Sequence, residues 1–149
     1  MTPARIEPAG HCALDSLAAL LAGEHPPTDG FGERLLQTTL VAREAAGIVG
    51  CIALEPYGNA ALLRSLAVIP SRRGHGVGQQ LTRAALDLAR QQRVATVYLL
   101  TTTAAEFFAR DFGFRPVVRA EVPAAVQQSV EFISACPETA QAMVREVER

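Results

Sequence analysis

The stretch that most constrains the fold runs from residue 60 to residue 102. It opens with AALLRSLAVI (60–69), the most apolar strand candidate in the chain, which Pro70 stops. SRRGHGVG (71–78) follows, with three glycines in eight residues, two arginines, one histidine and no acid. From Val77 the apolar positions fall at Val77, Leu81, Ala84, Ala85 and Leu88, the spacing of an amphipathic helix. VATVYLLTT (94–102) then reads as a second buried strand. Strand, glycine loop, helix, strand is a crossover unit, and a crossover makes its two strands parallel with a right-handed connection.

Tight turns join the strands before this unit, so those strands are antiparallel. ARIEPA (4–9) reads as a short opening strand, and TTLVARE (38–44) and IVGCIALEP (48–56) as a hairpin around the AAG turn at 45–47. Between them, residues 10–22 carry Leu14, Leu17, Leu20 and Leu21 at helical spacing, GEHPPTDGFGE (23–33) is a turn-rich connector, and a short helix is expected around 32–36. Downstream, AAEFFARDF (104–112) reads as a short helix closed by Gly113, FRPVVRAEV (114–122) as a strand, residues 124–132 as one or two helical turns, and AQAMVREV (140–147) as a last strand. The expected fold is therefore α/β (α+β): a mixed, mostly antiparallel sheet with a parallel central pair and flanking helices.

Bulk properties narrow the function. A chain of 149 residues with 49% hydrophobic content fits one folded domain over 1–149 and argues against disorder. A net charge of −1 supplies no field to hold nucleic acid or an anionic membrane. No apolar run approaches the ~18 residues that span a bilayer, and the N-terminus lacks the layout of a secretory signal. Cys12, Cys51 and Cys136 are far apart and no CxxC or His/Cys cluster suggests a metal, so the thiols read as reduced, small hydrophobes in a cytoplasmic protein.

Glycine is costly to order, so the 71–78 loop needs a geometric reason. A loop entering a helix N-terminus exposes unpaired backbone N–H groups, the helix dipole adds partial positive charge, and glycines let the backbone approach an anion closely. Arg72 and Arg73 add charge, with no acid nearby in the sequence to cancel it. The Walker pattern requires a Lys and wider glycine spacing, and the dinucleotide fingerprint a different glycine order and a later acid. A merely tight strand-to-helix turn is the plain alternative.

Arg73-Gly74-His75-Gly76-Val77-Gly78 resembles the R/Q-x-x-G-x-G/A pyrophosphate loop of the GNAT superfamily of N-acetyltransferases. LAVIPSRRG is similar to that family's fourth strand and turn, and FFARDFGF to its fourth-helix signature, usually written with a Tyr and ending in Gly-Phe. YLLTTTAAEFFARDFGFRPV and VPAAVQQSVEFISACP look like a branch found with arsenic-resistance genes and, more loosely, like the acetyltransferase domain of N-acetylglutamate synthase.

The resemblance implies acetyl-CoA as co-substrate, lying in a V-shaped gap between the fourth and fifth strands. It places Leu66, Ala67 and Val68 along the cofactor, with the Val68 main chain bonding the pantetheine amides and the Leu66 backbone N–H facing the thioester oxygen as an oxyanion donor. It places Arg73, Gly74, His75, Gly76, Val77 and Gly78 at the pyrophosphate, and Phe107 under the cofactor; Arg110 either reaches the CoA phosphates or is a solvated helix residue. The family's frequent fourth-helix Tyr is absent, because that segment is Phe107-Phe108-Ala109-Arg110, and the frequent Glu of strand four aligns with Leu62. Glu55, Tyr57, His25 and a bound water stay open as the base; His75 reads as a loop residue, and Tyr98 as core or sheet surface.

Arg64 sits among apolar residues on a central strand, and a buried Arg needs a partner. It is either half of an internal ion pair or a fork for a substrate carboxylate. Strict alternation would put it on the face of Leu66 and Val68. Tyr57 and Thr101 are further candidates for the acceptor site, while Thr103 suits a helix N-cap. The leading expectation is an acyltransferase moving acetyl from acetyl-CoA to the amine of a small, amino-acid-like acceptor, glutamate-like or arsenic-containing, by direct attack in a ternary complex. The expected partners are that small molecule and a second copy of the chain. Two alternatives remain: acetylation of a protein or peptide amine, and a non-catalytic CoA-binding regulatory module.

Overall fold

Seven strands form one sheet in the order β1-β2-β3-β4-β5-β7-β6 in a computed structural model that describes residues 4–9, 37–45, 47–129, 132 and 140–147. The strands are β1 (Arg5–Pro8), β2 (Thr39–Glu44), β3 (Gly47–Tyr57), β4 (Ala60–Val68), β5 (Thr96–Thr101), β6 (Arg115–Val117) and β7 (Gln141–Glu146). The described helices are α1 (Val77–Gln91), α2 (Ala105–Phe112) and α3 (Ala124–Gln127). The helix expected at 10–22, the connector at 23–33 and the short helix at 32–36 lie outside the described residues, as do Cys12, His25 and Cys136. Among the described residues no helix is long and apolar enough to cross a membrane.

The crossover unit determines the sheet. β4 and β5 are parallel, and every other pairing in the sheet is antiparallel. The parallel pairing covers only Ala60–Leu62 against Thr96–Tyr98. Beyond it β4 runs on for six residues to Val68 and β5 for three to Thr101 without pairing to each other, though each stays paired on its other side, to β3 and β7, so the sheet opens into a cleft at its centre. The closed end is tied where the Ala95 N–H donates to the Asn59 carbonyl in the β3–β4 turn at 2.6 Å.

One face of the sheet carries α1. Ile52 and Leu54 from β3 and Ala61 and Leu63 from β4 pack there with Val77, Leu81 and Ala85 of the helix. The buried stripe of α1 is Val77, Leu81, Thr82, Ala85, Leu86 and Ala89, a rotation from the expected set: Ala84 and Leu88 sit at its margin. Gly50 permits this packing, because a Cβ there would stand 2.9 Å from the Ala67 carbonyl oxygen and 3.0 Å from the Leu81 methyl. The other face holds a smaller apolar cluster of Ala60, Leu62, Val122, Val126 and Ala142 under α3.

The strand expected over 114–122 is much shorter. β6 ends at Val117 and the chain enters a 3-10 turn at Arg119–Glu121. Pro116 has no N–H to donate, and the strand lies at the sheet edge where such a residue is tolerated but cannot extend a ladder.

Candidate active site

β4 does not alternate strictly. Cys51 pairs with Ala67 and Ala53 with Arg64, so two residues of β4, Ser65 and Leu66, stand against the single Ile52 of β3. Ser65 takes a left-handed φ of 60° to make this bulge, a conformation that costs a non-glycine residue about 1–2 kcal/mol. Its carbonyl accepts the Cys51 thiol at 3.3 Å, and its Oγ accepts the Arg64 Nε–H at 3.2 Å. The bulge inverts the alternation that follows it. Leu66 and Val68 pack toward α1, while Arg64 shares the opposite face with Glu55 and Tyr57. The expectation that Arg64 faces the same way as Leu66 and Val68 is therefore corrected.

On the α1 face, the diverging end of β4 meets the glycine loop in a cleft of ≈ 440 Å³. Leu66, Ala67 and Val68 form one wall. Arg73, Gly74, Gly76, Val77 and Gly78 form the floor. Phe107 and Ala104 close it from α2. Gly74 and Gly76 have φ of 81° and 84°, and Gly76 is the residue from which α1 starts. The loop is thus folded so that successive backbone N–H groups enter a helix N-terminus, the arrangement that binds anions. Phe107 is held by edge contacts to Phe108 and Phe112, with ring centroids 5.0 and 5.5 Å apart.

Two loop charges are disposed differently from expectation. Arg72 is paired with Glu44, its Nε–H donating at 3.1 Å, so an acid from the end of β2 does offset it. The sequence separation of 28 residues hides this contact. Arg73 donates from Nε to the Val68 carbonyl at 3.2 Å and ties the loop to the end of β4. His75 is exposed and outside the cleft lining. Arg110 also lies outside it, on the outer side of α2 beside Asp111 at 3.4 Å, because the helix turns Phe107 rather than Arg110 inward. Gln79 lines the cleft and carried no distinguishing signal in the sequence.

On the opposite face the structure builds a polar group. The Tyr57 hydroxyl donates to Glu55 Oε1 at 2.6 Å, and Arg64 Nη1 donates to Glu55 Oε2 at 3.2 Å. The Arg64 side chain is 0% exposed and that of Glu55 is 18% exposed. Of the two expectations for Arg64, the structure shows the ion pair. Burial, and then the neighbouring Glu55, push the Tyr57 hydroxyl up to about 12, against a hydrogen bond from Ser129. Thr101 stands apart: its Oγ1 accepts the Ala104 N–H at 2.9 Å and holds the turn into α2. Thr103 does not cap that helix, whose N-cap is Ala104 with no side-chain bond. Tyr98 faces the same side as Glu55, two strands away across Leu62.

A sheet split at a parallel pair, with a glycine loop and helix at the split, is a fold shared with solved acetyltransferases. N-acetylglutamate synthase from Neisseria gonorrhoeae, complexed with coenzyme A and N-acetyl-glutamate, superposes with a TM-score of 0.84 at 21% identity over 100% of this chain and 36% of that one. Rv2747 from Mycobacterium tuberculosis, in complex with CoA, superposes with a TM-score of 0.81 at 23% identity over 97% of this chain and 99% of that one. Residues 35–116 match the acetyltransferase (GNAT) domain, and the chain belongs to that family. An amino-acid acetyltransferase of Pseudomonas putida is 36% identical over 95 residues, 62% of this chain and 22% of the relative. The corresponding Pseudomonas aeruginosa protein is 37% identical over 91 residues, 60% of this chain and 21% of the relative. The aligned stretch thus spans about a fifth of the curated relatives it matches.

Proposed function

We propose that this protein is an N-acetyltransferase that moves the acetyl group of acetyl-CoA to the amine of a small amino acid, with residues 1–149 forming one acetyltransferase domain. The observation that carries the reading is the cleft where the end of β4, its edge toward β5 left open, meets the glycine loop. An extended pantetheine arm fits beside a strand whose edge has left its neighbour, and a pyrophosphate fits a glycine-lined helix N-terminus. In this reading the Gly74, Gly76 and Gly78 backbone and Arg73 hold the phosphates, Val68 the pantetheine and Phe107 the apolar floor. The bulge at Ser65 presents the Leu66 N–H to the thioester carbonyl.

The mechanism is a direct attack. The amine nitrogen bonds to the thioester carbon, charge builds on the carbonyl oxygen, and the C–S bond breaks as the tetrahedral species collapses. A fixed backbone donor at that oxygen lowers the barrier by roughly 3 kcal/mol on the precedent of other oxyanion sites. Cys51 is no acyl carrier: burial pushes its thiol up to about 12, which leaves almost no nucleophilic thiolate near neutrality.

The names of the relatives favour an amino-acid acceptor, and glutamate is the first to try, given the N-acetyl-glutamate complex of the Neisseria synthase. The likeness to the arsenic-resistance branch adds an arsenic-containing amino acid to the panel. We place the activity in the cytoplasm, where a free thiol such as Cys51 stays reduced. The test is release of coenzyme A thiol from acetyl-CoA across amino acids, N-terminal peptides and simple amines. Turnover on amino acids supports the reading. Turnover on peptides alone would move it to a protein acetyltransferase, and coenzyme A binding without turnover to a regulatory module.

A further inference from the structure

In the acetyltransferase reading the cofactor fills the cleft on the α1 face, which leaves the opposite face of the split sheet to the acceptor. Nearest the bulge on that side, one hydrogen-bonded chain of polar groups lies along β3 and β4. Ser129, beyond the end of α3, bonds the Tyr57 hydroxyl. Tyr57 donates to Glu55 Oε1 at 2.6 Å, Arg64 Nη1 donates to Glu55 Oε2 at 3.2 Å, and Arg64 Nε donates to the bulge residue Ser65 at 3.2 Å. Tyr98 stands across Leu62 from Glu55. The exposures order this chain. Arg64, with a side chain 0% exposed, offers no surface to a ligand, whereas Glu55, at 18%, does. What this wall presents is an acid, oriented on one oxygen by the buried Arg64 and on the other by the half-buried Tyr57. An acid held in this way matches an ammonium, and a primary amine at neutral pH arrives as one.

We infer that Glu55 binds the acceptor's ammonium and takes its proton, and that Arg64 is a positioning residue that acts on the reaction only through Glu55. This rests on the acetyltransferase reading and names the acceptor class for it: a cationic primary amine. One ammonium proton passes to the Glu55 carboxylate, directly or through one water. The freed lone pair forms the C–N bond to the thioester carbon, and the C–S pair leaves on sulfur. A second proton of the new nitrogen passes to that sulfur to give the thiol. Glu55 then returns its proton to solvent. The sum is ammonium plus thioester giving amide, thiol and one released proton. Ser129 and Tyr57 set the rotamer of Glu55 from one side and Arg64 from the other, so the carboxylate is preorganised before the amine arrives.

The test uses the whole chain, acetyl-CoA, and a panel of L-amino acids including L-glutamate, each beside its decarboxylated amine. Glu55→Gln should bind coenzyme A as the parent does, by calorimetry, and lose kcat/KM at pH 7 by roughly 10²–10⁴. Its residual rate should rise about tenfold per pH unit below the amine's own titration, since only free amine then reacts, and this slope should be steeper than the parent's. Arg64→Met added to Glu55→Gln should cost less than about twofold further, the non-additivity of two residues acting as one unit. That double variant also carries the test if Glu55→Gln alone leaves the buried cation unpaired and does not fold. Parent-like turnover and pH profile in either variant would overturn the inference while leaving the acetyltransferase reading intact. So would an Arg64→Met variant that keeps kcat but loses the preference for the carboxylated amine. A parent that binds coenzyme A yet turns over no amine would overturn both.

Discussion

Gly76 and Gly78 stand two residues apart and require glycine for different reasons. Gly76 has φ of 84° and open space around its would-be Cβ, the nearest atom being Gln79 Oε1 at 3.9 Å. Its constraint is the backbone, so any side chain there costs about 1–2 kcal/mol before a ligand is considered. Gly78 is helical, and a Cβ would sit 3.8 Å from the Phe107 ring, an ordinary contact. Stability gives no reason for glycine at 78, since a helix prefers alanine by about 0.5–1 kcal/mol. The remaining reason is close approach of the backbone to a ligand. Gly78→Ala should therefore melt at or above the parent's temperature and bind acetyl-CoA about tenfold more weakly or worse. Gly76→Asp should lose both stability and affinity. A Gly78→Ala protein with parent-like affinity by calorimetry would remove the phosphate role of this loop. The glycine pattern was legible in the sequence because a loop-to-helix motif is local. The Glu44–Arg72 pair and the outward direction of Arg110 were not, since they depend on which strand end and which helix face the fold brings round.

At the scale of elements, the site depends on how closely α1 lies on β3 and β4. Gly50 sets that distance. A methyl at residue 50 meets the Ala67 carbonyl oxygen at 2.9 Å, which is backbone and cannot rotate away, and the Leu81 and Val77 side chains at 3.0 and 3.3 Å. Gly50→Ala should cost about 1–3 kcal/mol in urea unfolding, the usual penalty of overpacking. It should also weaken acetyl-CoA binding, because α1 and the glycine loop at its start move together. Loss of stability with affinity unchanged would show that the cleft is independent of the α1–sheet spacing. The order of elements from β2 to β7 was readable from period and punctuation, and the crossover alone required the parallel pair. The bulge was not readable. Ser65 is an ordinary residue in an ordinary strand run, and only the pairing of Cys51 with Ala67 and Ala53 with Arg64 exposes the extra residue. One uncounted residue moved Arg64 from the face under α1 to the opposite face, the standard consequence of a period-two pattern losing its phase.

At the scale of the whole molecule, the charge inventory makes alkaline stability unusually easy to interpret. All 14 basic side chains are arginine, so there is no lysine to titrate above neutral pH. Apart from the terminal amine, only three cysteines and two tyrosines change charge between pH 8 and 12. Cys51 is buried beneath the bulge, and burial pushes its thiol from 9.0 up to about 12. Tyr57 is moved from 10.0 to about 12 by burial first and by Glu55 second. Both folded values lie above the unfolded ones. The corresponding stability is fully present below pH 9 for Cys51 and below pH 10 for Tyr57, and it drains as pH climbs toward 12, because the unfolded chain gives up its protons first. Cys51 costs up to about 1.4 kcal/mol per pH unit across its window, and the half-exposed Tyr57, screened by solvent, costs less per unit. The parent's melting temperature should hold to about pH 9 and then fall, more steeply once Tyr57 joins above pH 10. Cys51→Ala should delay the onset of the fall to near pH 10, and Tyr57→Phe should keep the onset and reduce the later slope. A Cys51→Ala protein whose decline still begins at pH 9 would mean that this thiol is solvated in the folded chain. The contact between Cys51 and the Ser65 carbonyl would then not hold the bulge, and with it would go the geometry on which the proposed oxyanion role of the Leu66 N–H depends.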